Sequence, residues 1–244
     1  MEIWAHRGAS AVAPENTMAA FLKARELGAD ALEMDVQRSS DGVLVVIHDD
    51  TVTRTTQGRG YVHAASFSWL QTLDAGYKFG DNFRGERIPR LEEVLSFVKS
   101  TDMGINLELK ASPAPQPGLE QQVVDVVRQY GLTEKTVISS FSFDCLRRIK
   151  GCDPSVSIAL LSSYYSPVAP GFAKQFGADA IHPNRRSVTS ALQQDALRLN
   201  VKIRPYTVNE RRQIQLFNAW GMDAVITNHP GMAKEALGQT RSPR

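Results

Sequence analysis

Short β-branched and apolar runs alternate along this chain with longer stretches whose apolar residues recur every three or four positions. IWAHR at 3–7 precedes NTMAAFLKARELG, ADALEMDVQ follows at 29–37, and INLELK at 105–110 precedes LEQQVVDVVRQYG. A period of two marks a strand and a period near 3.6 an amphipathic helix, so the rhythm predicts repeated βα units. TVISSF, VSIALLS, ADAIHP, VKIRPYTV and DAVIT continue the series and bring the expected parallel strands to eight. Eight favours a closed (β/α)8 TIM barrel over an open sheet, and 244 residues match the roughly 250 that such a barrel needs as one domain, residues 1–244. Gly28, Gly131, Gly177 and Gly221 stand where helical patterns stop, as left-handed C-caps require.

Two segments break the rhythm. After the second strand, Ser39-Ser40-Asp41-Gly42 leads straight into VLVVIHDD. That link is too short for a parallel crossover and suits a hairpin, centred between Asp41 and Gly42. From Asp49 to about Pro89 the alternation lapses, and Trp69, Tyr77, Phe79 and Phe83 stand among glycines and charges. We read 49–89 as a small lobe inserted after strand 2. Pro113, Pro115 and Pro117 stiffen the loop after the third barrel strand.

Composition removes some function classes. A net charge of +2, from 28 basic and 26 acidic residues spread along the chain, gives no stripe of the kind that nucleic acid selects. MEIWAHRGAS lacks the apolar core of a secretory signal, and no run approaches the ~20 apolar residues of a membrane span. The expectation is a soluble cytoplasmic protein without a stable membrane anchor. Cys145 and Cys152 form no C-x-x-C pattern and have no histidine-rich neighbourhood, so both read as buried spectators.

Strand alternation then locates the chemistry. In the second strand Leu32, Met34 and Val36 face one way, toward the helices, while Glu33 and Asp35 face the barrel axis. In the third, Ile105, Leu107 and Leu109 share the outer face and leave Asn106, Glu108 and Lys110 inside. Three inward carboxylates at the C-terminal end of adjacent strands repel one another unless a cation lies between them. Oxygen-only ligation selects a hard ion, Mg²⁺ or Ca²⁺, at Glu33, Asp35 and Glu108. The plainer alternative is that Lys110, Arg7 and the histidines neutralise these acids as structural ion pairs. His6 ends the first strand, and the hairpin register places His48 opposite Asp35, so two imidazoles converge on the acids as a potential acid/base pair. Arg7 offers a planar fork and Lys110 a point charge, both suited to phosphate oxygens.

His6-Arg7-Gly8, Glu15-Asn16-Thr17, Glu33-x-Asp35, His48-Asp49 and Glu108-x-Lys110, with Ser140-Phe141 and Thr207-Val208-Asn209, resemble in order and spacing the glycerophosphodiester phosphodiesterase family. The resemblance runs from Ile3 to about Pro230 and implies a barrel related to the phosphatidylinositol phospholipase C enzymes. It implies metal ligation by Glu33, Asp35 and Glu108, acid/base catalysis by His6 and His48, and substrate binding by Arg7 and Lys110. The implied reaction is hydrolysis of a glycerophosphodiester to glycerol 3-phosphate and an alcohol, through a cyclic phosphate. Asn16 or Thr17 reads as a helix N-cap or its neighbour, and Glu15 as support for its loop. Tyr206 stands where the family commonly has tryptophan, and Asn228 where it usually has aspartate, which puts a helper role at that loop in doubt. His182, near Arg185 and Arg186, reads as a loop residue, solvated or bound to a head group. A lysophospholipase D acting through the same site, and a non-catalytic phosphate-binding barrel protein, are the competing expectations.

Overall fold

The structure is a computed structural model that describes residues 1–110 and 116–239. Pro113 and Pro115 lie outside the described residues. Eight parallel strands, β1 (Glu2–His6), β2 (Ala31–Arg38), β4 (Gly104–Leu109), β5 (Thr136–Ser140), β6 (Ser157–Ser162), β7 (Ala180–Pro183), β8 (Lys202–Ile203) and β9 (Ala224–Thr227), run in the order β8-β7-β6-β5-β4-β2-β1-β9. Helices α1 (Met18–Glu26), α3 (Leu91–Lys99), α4 (Leu119–Gln129), α5 (Phe143–Cys152), α6 (Pro170–Phe176), α7 (Ser190–Leu199), α8 (Arg211–Ala219) and α9 (Pro230–Ala236) alternate with them. This is the (β/α)8 barrel that the periodicity predicts.

The seventh barrel strand, β8, is shorter than VKIRPYTV suggests, because Pro205 has no N–H to give to a ladder. The barrel nearly closes there through single bonds, Ile226 N to Pro205 O at 2.9 Å and Val208 N to Ile226 O at 2.9 Å. Leu32, Met34 and Val36 pack with Ile105, Leu107, Leu109 and the helices in the main core, as alternation requires. Each fully buried leucine or isoleucine there contributes about 2 kcal/mol of transfer free energy. The four glycines at helix ends all have positive φ, between 70° and 84°. Cys145 is buried, and Cys152, packed half-buried on the same core, is likewise a free thiol.

The hairpin differs by one residue from its predicted register. Val36 pairs with Val46 and Gln37 with Val45, so β3 (Leu44–Val46) folds back antiparallel around Asp41, and Asp35 O accepts from Ile47 N rather than facing His48. The turn has three residues instead of two, with Gly42 left-handed at φ 85° and Ser39 N bonded to Val43 O. Beyond it, Val45, Ile47, Val52, Val62, Phe67, Leu70, Leu73 and Ile88 form a separate small core, built around one short helix, α2 (Phe67–Leu70). Trp69, Tyr77 and Phe79 stay exposed on that segment.

His182 corrects the sequence reading. It is no loop residue: it sits within β7, fully buried in the barrel lumen and edge-on to Trp4, with ring centroids 5.8 Å apart. Neither ring nitrogen has a hydrogen-bond partner among the described residues. Burial, reinforced by the charge of Arg204, holds its pKa well below the usual 6.5. The folded state therefore keeps the ring neutral while the unfolded chain protonates below pH 6.5. The stability that this group contributes is present above that pH and is lost as pH falls. Urea unfolding between pH 7 and 5 should show His182→Leu losing less stability than the parent, by about 2 kcal/mol over that range, nearly all of it below pH 6.5.

Candidate active site

The site is built on an abrupt turn. β1 ends at His6, and the next residues, Arg7 (φ 56°) and Gly8 (φ 79°), are both left-handed. A side chain is strained in that region, so Arg7 stores about 1 kcal/mol of backbone energy at the barrel mouth. In return its N–H points at Glu33 and donates to Oε2 at 2.8 Å. Gly8 has a second reason to be glycine, because a Cβ there would lie 2.7 Å from Ala20 at the start of α1. Thr17 caps that helix, accepting from Ala20 N. Asn16 is not the cap. It too is left-handed (φ 57°) and buried, and its Nδ2 donates to Asp35 Oδ2 at 2.8 Å, a role that the capping pattern concealed.

Parallel register sets the acids side by side, with His6 opposite Glu33, Glu33 opposite Asn106, and Asp35 opposite Glu108. Glu33, Asp35 and Glu108 each bring a carboxylate oxygen within 4.8 Å of the others, and they are the one such trio among the described residues. Burial and repulsion from Asp35 and Glu108 push Glu33 well above the usual carboxyl range, and burial with the Asp35 charge pushes Glu108 up. Burial acts the same way on Asp35, but Lys110 at 2.8 Å and Arg7 Nε at 3.4 Å outweigh it and keep that carboxyl low. Lys110 Nζ also donates to Glu108 Oε1 at 2.5 Å. These ion pairs form as the plainer reading expects, yet among the described residues they leave Glu33 without a cationic side chain in hydrogen-bond contact. A hard cation among these oxygens fits the unmet negative charge.

His48 reaches the site by a route that alternation does not show. The chain leaves the sheet after Val46, and the buried amide of Gln37 donates to the carbonyls of Ile47, His48 and Asp49 at 3.1, 3.1 and 2.8 Å. Gln37 thus turns His48 into the mouth. His48 Nδ1 lies 2.5 Å from Asp49 Oδ1. Arg54 bonds Asp49 on one side and Glu15 on the other, and Glu15 bonds Arg7 Nη1 at 2.8 Å. Those bonds, Arg54 foremost, hold Asp49 at about 2, and they outweigh burial to keep Glu15 low as well.

His6, Arg7, Glu33, His48, Glu108 and Lys110 line one cavity of about 190 Å³, with Phe141 and Tyr206, in edge contact, on its wall. Asp35 lies beneath it, 1% exposed. A larger cavity, about 680 Å³, opens at the N-terminal end of the barrel. Its Lys234 is already paired with Asp30, and no histidine lines it, whereas His6 and His48 both line the smaller one.

Residues 6–232 match the glycerophosphoryl diester phosphodiesterase family. The chain belongs to this family. It is 39% identical over 226 residues to the glycerophosphodiester phosphodiesterase of Caldanaerobacter subterraneus subsp. tengcongensis, covering 93% of each chain. Among solved structures it is similar to an Oleispira antarctica phosphodiesterase in complex with the product sn-glycerol-3-phosphate (29% identity, TM-score 0.88, 98% and 97% covered). It is likewise similar to the glycerophosphodiester phosphodiesterase of Agrobacterium tumefaciens (29%, 0.85, 96% and 99%).

Against that family background, Asn228 does have a place at the site. His6 Nδ1 lies 2.6 Å from Asn228 Oδ1, and Asn209 holds the loop by accepting from Asn228 N and Thr227 Oγ1 at 2.9 and 3.1 Å. The amide oxygen makes Nδ1 the donor and leaves Nε2, 4.0 Å from Glu33, as the free nitrogen. Burial and the Arg7 charge lower His6 to about 4, and a neutral amide offsets this less than a carboxylate does. Asn228→Asp should therefore raise the His6 pKa. Titration of the His6 ring followed by NMR should show that rise as about one unit or more.

Proposed function

We propose that this chain hydrolyses glycerophosphodiesters to glycerol 3-phosphate and an alcohol, as one barrel domain with residues 49–89 an inserted lobe. The observation that carries this reading is the convergence of two imidazoles, three carboxylates, Arg7 and Lys110 on one small cavity at the C-terminal mouth of the barrel. Glu33, Asp35 and Glu108 would hold one divalent cation, Mg²⁺ or Ca²⁺. When bound, it supplies Lewis-acid stabilisation of charge on oxygen. Arg7 and Lys110 bind the phosphoryl oxygens and offset the charge that grows on them. One histidine takes the proton of the glycerol 2-hydroxyl as that oxygen attacks phosphorus, and the other protonates the departing alcohol. Water opens the cyclic phosphate in a second step, with the two rings exchanging roles.

Phe141, on the cavity wall, also carries a second reading. Phe141, Phe143 and Phe172 are exposed by 46%, 40% and 43% on the segments after β5 and β6. An acyl chain would find apolar surface there, as a lysophospholipase D requires. One assay separates the two, namely release of glycerol 3-phosphate from glycerophosphocholine beside release of choline from lysophosphatidylcholine, each in EDTA and then with Mg²⁺ or Ca²⁺. The first reading expects cation-dependent turnover of glycerophosphocholine. Turnover of the lysolipid alone would move the assignment to the second. No helix among the described residues is long and apolar enough to cross a membrane.

A further inference from the structure

We propose that Arg54, in the inserted lobe, is the positioning residue that orients both His48 and Arg7 through one guanidinium. Nε and Nη2 donate to the two oxygens of Asp49 at 2.6 and 3.0 Å, and Nη1 and Nη2 to the two oxygens of Glu15 at 2.7 and 2.8 Å. Each carboxylate passes the constraint on. Asp49 Oδ1 is also the partner of His48 Nδ1 at 2.5 Å, and Glu15 Oε1 also accepts from Arg7 Nη1 at 2.8 Å. The planar fork is what allows two bidentate contacts at once, and an ammonium has no such geometry.

The lobe gives Arg54 a firm base. Val52 is fully buried in the small core, and Thr56, two residues past Arg54, donates from N and Oγ1 to Val52 O at 3.1 and 2.8 Å. The guanidinium side chain is itself 46% exposed, so its ion pairs contribute little to folding. Their effect is on geometry. By this account the lobe is more than a covering, because it fixes the angle of one acid/base ring and of the phosphate fork together. The inference rests on the roles given above to His48 and Arg7.

Steady-state kinetics on glycerophosphocholine with saturating cation tests it in the full chain. Asp49→Asn should lower kcat, Glu15→Gln should raise KM, and Arg54→Ala should do both, each by about tenfold to a hundredfold, with Tm within about 3 °C of the parent. Arg54→Lys should fail to restore either parameter. Free guanidinium should restore both to Arg54→Ala, since a cavity of about 190 Å³ lined by Glu15, Arg54 and Lys78 opens beside the clamp. An Arg54→Ala enzyme that moves neither parameter, or only one, overturns the proposal, and so does full rescue by lysine. The parent and His48→Ala run alongside. An inactive parent or an active His48→Ala would instead sink the catalytic reading beneath it.

Discussion

Replacing His48 by alanine should lower kcat on glycerophosphocholine by about a thousandfold or more, and His6→Ala by a similar factor, while divalent-cation affinity changes by less than about threefold. The two effects should separate because the rings and the acids are distinct groups in one cavity. Neither imidazole belongs to the acid cluster; His6 Nε2 stands 4.0 Å from Glu33, and the nearest partner of His48 is Asp49. Each ring has its own orienting acceptor, Asn228 for His6 and Asp49 for His48, so loss of one leaves the other in place. The double variant should lose little more than either single one, because a proton that cannot be taken up makes a proton that can be given useless. Calorimetric titration with Ca²⁺ or Mg²⁺ beside steady-state kinetics checks this. A fall in cation affinity that matched the fall in kcat would make the histidines ligands and end the acid/base assignment.

Much of this site was legible in the sequence because its core obeys strand alternation. Glu33, Asp35 and Glu108 lie on straight, well-paired strands, where a period of two fixes the facing of every side chain, and Lys110 follows one residue past the end of β4 on the same face as Glu108. Facing predicted from that period holds for all four. Where the chain leaves regular geometry, legibility ended. His48 was placed by a hairpin register that is off by one, and it arrives in the mouth only because Gln37 gathers three carbonyls beyond the strand end. Asn16 carries a capping residue's identity but a left-handed backbone, which periodicity cannot register. The Asn228 contact joins residues 222 positions apart across the barrel's near-closure, and Arg54 makes its contacts from a lobe with no repeating pattern. His182 eludes the pattern because a polar residue followed by proline and, two residues on, a pair of arginines has the composition of a loop.

Glu33→Gln should have opposite effects on the cation-free and cation-bound protein. The carboxylate is 3% exposed and stands against two other acids, so without a cation it is held in place at a cost. Glutamine keeps the shape and still accepts from Arg7 N through its amide oxygen, while the repulsion disappears. In EDTA the variant should therefore melt at the same temperature as the parent or above it. With the cation present the order should reverse. A cation at a hundred times its Kd stabilises the folded parent by about 2.7 kcal/mol, which for a chain of this size raises Tm by about 5–10 °C. Loss of one of three anionic ligands should weaken binding by about a hundredfold or more, beyond the tenfold to hundredfold typical of outer partners, and remove most of that gain. Thermal melts of both proteins in EDTA, Mg²⁺ and Ca²⁺ read the crossover directly. If Glu33→Gln instead melts below the parent in EDTA and gains as much as the parent from the cation, then Glu33 is a structural ion-pair partner of the Arg7 turn and the ligand set must be drawn from elsewhere.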